Sequence, residues 1–140
     1  MSTIQVEIVS AEAEIWSGEG VMVFAPGVAG ELGIAPKHAP LITTLKPGDV
    51  RVQMEDGDQQ FFFISGGLLE VQPHLVTVLS DTVIRGDDLD EAAAREAQQK
   101  IEEKLKDTAP YDDDYAAMKA ELAAYAAQVR AIEKLRKLKG

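Results

Sequence analysis

Few side chains in this sequence could do chemistry near neutral pH. There are two histidines, His38 and His74, and no cysteine. Imidazoles serve as general bases and metal ligands, but these two stand apart, one in "PKHAPL" and the other after Pro73 in "VQPHLV". A multi-histidine metal site needs more imidazoles than that, and no G-x-S-x-G stretch supplies a serine nucleophile. His74 therefore reads as a solvated turn residue and His38 as a contact or structural residue. Gly66-Gly67 in "ISGGLLEV" has the glycines of a phosphate cradle, yet lacks the following helix and the Lys-Ser or Lys-Thr pair. It leads into a strand pattern and reads as a bulge or tight turn. The acids Asp112, Asp113 and Asp114 do not have the spacing of a calcium loop and read as a helix entry. The expectation is no catalytic residue and no metal site.

What must position these residues is a chain of two grammars. Over residues 1–86, Ile4, Val6 and Ile8 alternate with polar neighbours, the period of a half-buried strand. "VMVFA", "LITTL", "VRVQM", "FFFI", "LLEVQ", "LVTVL" and "TVI" follow between Gly, Pro and Asp, with Asp56-Gly57 as a hairpin signal. Roughly ten short strands are expected, forming an antiparallel β-sandwich or barrel. From residue 87 to 140 the period becomes helical. Asp88 and Glu91 have capping-box spacing, and Leu89, Ala93, Ala97, Ile101 and Leu105 recur every fourth residue. "KDTAPYDDD" breaks this helix, and a second begins near Asp112 to Asp114. Tyr115, Met118, Leu122, Tyr125, Val129 and Ile132 mark its seam. The short break predicts an antiparallel helical hairpin. Its face is largely alanine. A buried alanine methyl contributes about 0.8 kcal/mol against about 1.5–3 for Leu or Ile, so the hairpin is expected to be weakly held.

Composition narrows the function classes. The net charge is −10, which argues against nucleic acid as a partner. No apolar run reaches the ~18–20 residues of a membrane span, and the N-terminus reads as neither a signal nor a transit peptide. The absence of cysteine suits a reducing compartment. Charge is uneven: residues 1–86 carry 4 basic and 11 acidic side chains, residues 87–127 carry 5 and 12, and residues 128–140 carry 5 and 1. The basic end either complements the dipole of a helix C-terminus or seeks an acidic partner.

Taken in order, "SAE" at 10–12, "GELGI" at 30–34, "HAPL" at 38–41, "LKPG" at 45–48, "SGGLLEVQP" at 65–73, "DTVIRGDDLDE" at 81–91 and the closing hairpin resemble the ε subunit family of bacterial F-type ATP synthase. The resemblance covers essentially the whole chain. It implies a non-catalytic central-stalk subunit that couples ion-driven rotation to ATP synthesis and restrains ATP hydrolysis. It also implies a place peripheral to the bacterial plasma membrane, on its cytoplasmic side. Residues 1–86 would dock on the γ subunit and the c ring, and residues 87–140 would be regulatory. Gly30, Glu31 and Leu32 take positions of ring contact. Ser10, His38 and Thr43 take positions facing γ. Arg130, Lys134, Arg136 and Lys137 would meet the catalytic α and β subunits. No cofactor is implied, except that some members bind ATP through a motif of Ile or Leu, Asp, two variable residues, Arg and Ala. Here Leu89, Asp90 and Ala94 match, but Ala93 replaces the arginine, so weak or absent ATP binding is expected. Apart from the resemblance, the residues also suit a stand-alone β-sandwich ligand-binding module with a helical tail, although aromatics for a carbohydrate platform are few.

Overall fold

The computed structural model describes residues 2–139. They form two compact units, divided between Asp87 and Asp88.

The first unit holds eight strands: β1 (Ile4–Ser10), β2 (Glu14–Gly20), β3 (Met22–Gly27), β4 (Gly30–Ile34), β5 (Leu41–Gln53), β6 (Gln59–Gln72), β7 (Leu75–Ser80) and β8 (Val83–Arg85). They pair in the order β2-β1-β7-β6-β5-β3-β4, with β8 also on β6. The sheet doubles over itself because β5 and β6 are long and bent. "LITTL" and "VRVQM" are one strand running through Lys46-Pro47-Gly48, and "FFFI" and "LLEVQ" are one strand running through Gly66-Gly67. One layer contains β2, β1, β7 and the adjoining halves of β6 and β5. The other contains β8, the remaining halves of β6 and β5, β3 and β4. The roughly ten short strands expected are eight here, because two pairs of expected strands are single bent ones. One expectation fails: β1 and β7 pair in parallel, so the sandwich is mixed rather than wholly antiparallel.

The inward residues of both layers share one core. Ile4, Val6, Ile8, Leu69, Val71, Val76 and Val78 come from the first layer, and Val23, Ala25, Ile34, Val50, Val52, Phe62 and Ile64 from the second. Trp16 closes one edge against Phe62, ring centroids 5.9 Å apart. Asp56-Gly57 does form the turn between β5 and β6, where Gly57 has φ +92° and the Asp58 amide donates to the Asp56 carboxylate at 2.9 Å.

Gly66-Gly67 is a bend and not a bulge, since the β5–β6 register continues unbroken on either side of it. Both glycines have positive φ, +105° and +145°. At Gly67 a Cβ would lie 2.0 Å from the Leu79 carbonyl oxygen. Hydroxyls close the same corner. Ser80 Oγ donates to the Thr82 carbonyl at 3.0 Å, the Thr82 amide donates to Ser65 Oγ at 3.2 Å, and the two serine oxygens are 3.3 Å apart.

The second unit is an antiparallel pair, α1 (Glu91–Lys106) and α2 (Tyr115–Lys139), preceded by a 3-10 turn at Gly86–Asp88. The N-cap of α1 is Asp90, not Asp88. The Asp90 carboxylate accepts from the Ala93 amide at 3.1 Å, while Asp88 lies in the 3-10 turn. The face of α1 holds at Leu89, Ala97, Ile101 and Leu105, none of them exposed, but Ala93 is exposed and its neighbour Ala94 is buried instead. The three aspartates precede the first turn of α2, where Asp112 accepts from the Asp114 amide at 2.9 Å. The α2 seam is as expected, with none of its six marker residues exposed. Leu89, Ala94, Val129 and Ile132 form the apolar contact between the helices.

The corner gives a clean test. Gly67→Ala should destabilise the protein by about 3 kcal/mol or more, combining a steric clash with left-handed strain. Gly57→Ala, with no atom within 4 Å of its Cβ, should lose only about 1–2 kcal/mol from φ. Urea unfolding of the two variants measures the difference.

Candidate functional site

The stretch from Gly30 to Gly48 divides between two surfaces. Its first part is β4, an edge strand joined to β3 by a two-residue turn at Val28-Ala29. Gly27 and Gly30 face each other across the turn, and Val28 at its tip is 60% exposed. Glu31 and Leu32 follow directly. Glu31 is half-exposed and ion-paired with Arg51 of β5 at 2.5 Å. Arg51 also meets Asp49 at 3.1 Å, and its guanidinium lies 4.6 Å from the centroid of the Phe24 ring on β3. The sequence reading gave Glu31 alone. Arg51, Asp49 and Phe24 were not legible, because the contact requires the β5–β3–β4 register.

The second part is the loop before β5. Pro36 and Lys37 occupy a turn closed by the His38 amide donating to the Ala35 carbonyl at 3.2 Å, with Lys37 at φ +67°. His38 Nδ1 lies 2.7 Å from the Ala39 carbonyl oxygen, within hydrogen-bond reach, and the ring is partly exposed. Thr43 faces inward with Leu41 and Leu45, opposite the buried Leu69. The outward neighbour is Ile42, 67% exposed. Leu68 and Leu79 pair across β6 and β7 on the same outer face, 40% and 45% exposed. Ser10 ends β1 beside Ser80, and its hydroxyl accepts from the Glu12 and Ala13 amides. Ile42, Leu68 and Leu79 thus expose apolar side chains on three neighbouring strands of one outer face, between the His38 loop and Ser10, with Ile42 diagonal to Leu68 because Glu70 stands opposite Ile42 and Thr44 opposite Leu68. Parity could have found it: these are the apolar residues out of phase with the buried set. His74 is exposed in the turn between β6 and β7.

In the helical unit, charge ties the two helices together. Arg136 donates to Glu91, and Arg95 reaches Glu91 at 3.5 Å and Glu133 at 2.9 Å. The hydrogen bond from Arg136, helped by the charge of Arg95, holds the Glu91 carboxyl below its ordinary value. Of the basic end, Arg136 is thus engaged within the hairpin although exposed; Arg130 and Lys137 are exposed and Lys134 is partly exposed. Leu89 is in the apolar contact, Asp90 caps α1 and Ala94 is buried, so those three residues serve the hairpin itself. Among the described residues no group of three or more His, Asp or Glu side chains is gathered as a metal site. No described helix is long and apolar enough to cross a membrane.

A two-layer sheet with an uncovered apolar strip, followed by a charge-tied helix pair, matches known proteins along its length. Residues 3–86 match the family described as "ATP synthase, Delta/Epsilon chain, beta-sandwich domain". The chain is 54% identical over 138 residues to the ATP synthase epsilon chain of Halorhodospira halophila, covering 98% of this chain and 97% of that one. It is 56% identical to that of Nitrosococcus oceani over 138 residues, covering 99% and 98%. Among solved structures, a chain of the Euglena gracilis mitochondrial ATP synthase superposes with a TM-score of 0.82 at 18% identity, covering 94% of this chain and 82% of that chain. That likeness shows the fold. The chain belongs to the ATP synthase epsilon chain family.

The Glu91 pairing predicts a pH effect. A carboxylate whose folded pKa is depressed contributes stability that is present above its unfolded value and lost as pH falls through the folded one. For Glu91 that window lies below its ordinary value of 4.5. Contact between α1 and α2 should loosen on acidification through this range and in high salt. Glu91→Gln should loosen it already at pH 7 and reduce its further response to acid. Distance measurements between spin labels at Gln99 and Ala123, introduced as cysteines, would read this.

Proposed function

We propose that this chain is a non-catalytic rotor subunit of a bacterial F-type ATP synthase, joining the γ subunit to the c ring and restraining ATP hydrolysis through its helical hairpin. Family membership supports the complex, and the uncovered strip of Ile42, Leu68 and Leu79 is the observation that carries the contact with γ. A sandwich whose core is already complete has no internal use for apolar side chains on its outer face, and such patches mark partner surfaces. Ser10 and the His38 loop flank the strip and would form its polar rim. Thr43, facing inward, would act from beneath Ile42 and not by direct touch.

The β3–β4 hairpin, with Gly30, Glu31 and Leu32, would meet the ring. Arg130, Lys134, Arg136 and Lys137 would meet acidic surface on the α and β subunits when the hairpin opens, and Arg136 would first have to leave Glu91. Nucleotide is not required for this regulation, because Asp90 is committed to capping α1 through the Ala93 amide and the Ala93 side chain carries no donor for a phosphate. The chain would sit peripherally at the plasma membrane through the complex.

The test is Ile42→Asp. A carboxylate on the strip should weaken binding to purified γ by roughly tenfold or more, because burying an unpaired charge is costly. Thermal unfolding of the chain should hardly change, since Ile42 is exposed. Unaltered binding, by titration calorimetry, would remove γ from this face.

A further inference from the structure

We infer that Arg51 is a positioning residue for Glu31: it sets the carboxylate that the proposed ring contact uses, without itself being the contact. The inference rests on the assignment of the β3–β4 hairpin to the ring and deepens it.

Arg51 is a bridge across three strands. Its own position on β5 is in register with Phe24 on β3 and, beyond it, with Gly33 on β4. Gly33 leaves room at that point, since a Cβ there would come within 3.0 Å of Met22 and 3.5 Å of the Phe24 ring. The guanidinium lies against the Phe24 ring and turns toward the hairpin tip, where it holds Glu31 at 2.5 Å. Asp49, two residues back on the same face of β5, places a carboxylate oxygen 3.1 Å from its Nε, an ion pair by distance without hydrogen-bond alignment. The Arg51 side chain is only 14% exposed, whereas Glu31 is 49% exposed. A partner can therefore touch Glu31 while barely reaching Arg51.

The chemistry suits that division. A planar guanidinium can stack on an aromatic ring and bind two carboxylates at once, which an ammonium cannot reproduce. Fixed on one side by Asp49 and Phe24, Arg51 gives the Glu31 side chain one preferred orientation. An edge-strand glutamate without such a partner would sample many rotamers, and ordering them on binding would weaken the contact. The same bridge ties β4 to β5 across β3, beyond what backbone pairing provides.

A double-mutant cycle on assembly with the purified rotor of γ and ring tests this. Glu31→Gln should weaken binding about tenfold, and Arg51→Gln about three- to tenfold. In a Glu31→Gln background, Arg51→Gln should have no further effect, because Arg51 acts only through Glu31. Equal weakening by Arg51→Gln in both backgrounds would overturn the positioning role in favour of a general structural one. No effect of Arg51→Gln beside a clear effect of Glu31→Gln would also overturn it while leaving the ring contact intact. No effect of Glu31→Gln would overturn the ring contact itself, and the inference with it. Should Arg51→Gln fail to fold, by the near-ultraviolet signal of Trp16, Arg51→Lys replaces it. That variant keeps the charge, loses the fork, and should show the same background dependence.

Discussion

The close approach of Gly67 to the Leu79 carbonyl is the constraint on which the first unit depends. Two layers can share one core only if β6 passes from one to the other, and it passes where no side chain is tolerated. With φ of +105° and +145° at successive residues, the strand turns without losing register against β5. Pro47 lies at the corresponding bend of β5, near the slip in β3–β5 pairing, where a residue without an N–H is accommodated in a sheet. Ser65, Ser80 and Thr82 meet the polar needs of the corner. From it follow the opposed inner faces, the outward strip of Ile42, Leu68 and Leu79, and the edge position of the β3–β4 hairpin.

Charge is used differently in the two units. On the sandwich, Asp49, Arg51 and Glu31 form a partly buried set over an aromatic ring, a geometry that fixes orientation. Between α1 and α2 the ions are largely exposed, and each such pair contributes modestly and is screened by salt. Beside them, the buried side chains of the two helices are Ala94 and Ile101 on α1 and Ala127, Val129, Ala131 and Ile132 on α2, half of them alanine. The first arrangement suits a surface that must keep its shape, and the second suits a contact that can be exchanged for another. Arg136 embodies that exchange, since its guanidinium serves Glu91 within the hairpin and is among the groups assigned to an outside partner.

Much of this was legible in the sequence, and the failures have physical causes. Alternation found the core strands because both layers bury one face. It missed β2 and β4, edge strands in which glycines interrupt the pattern. It cut β5 and β6 in two because glycine and proline punctuate a bend as they do a turn. Fourfold spacing marked the α1 face except at Ala93: each step of four residues advances about 40° beyond a full turn, and the buried alanine is Ala94, one residue on. Alternating steps of three and four do not drift so, and the α2 seam came out correctly. Asp90 caps α1, not Asp88, because the chain spends Gly86–Asp88 on a 3-10 turn first. The Glu31–Arg51 and Glu91–Arg136 pairs join residues 20 and 45 apart in the chain, and only register and packing bring them together.

The central claim is that this chain works only as part of a rotor. The direct measurement is isolation, under mild detergent, of the assembly carrying an affinity tag on this chain, with its subunits identified by mass spectrometry. The account predicts that γ and the ring subunit are recovered together with it, along with the catalytic subunits. Recovery of the tagged chain alone, or with a small-molecule ligand and no stalk subunit, would contradict it.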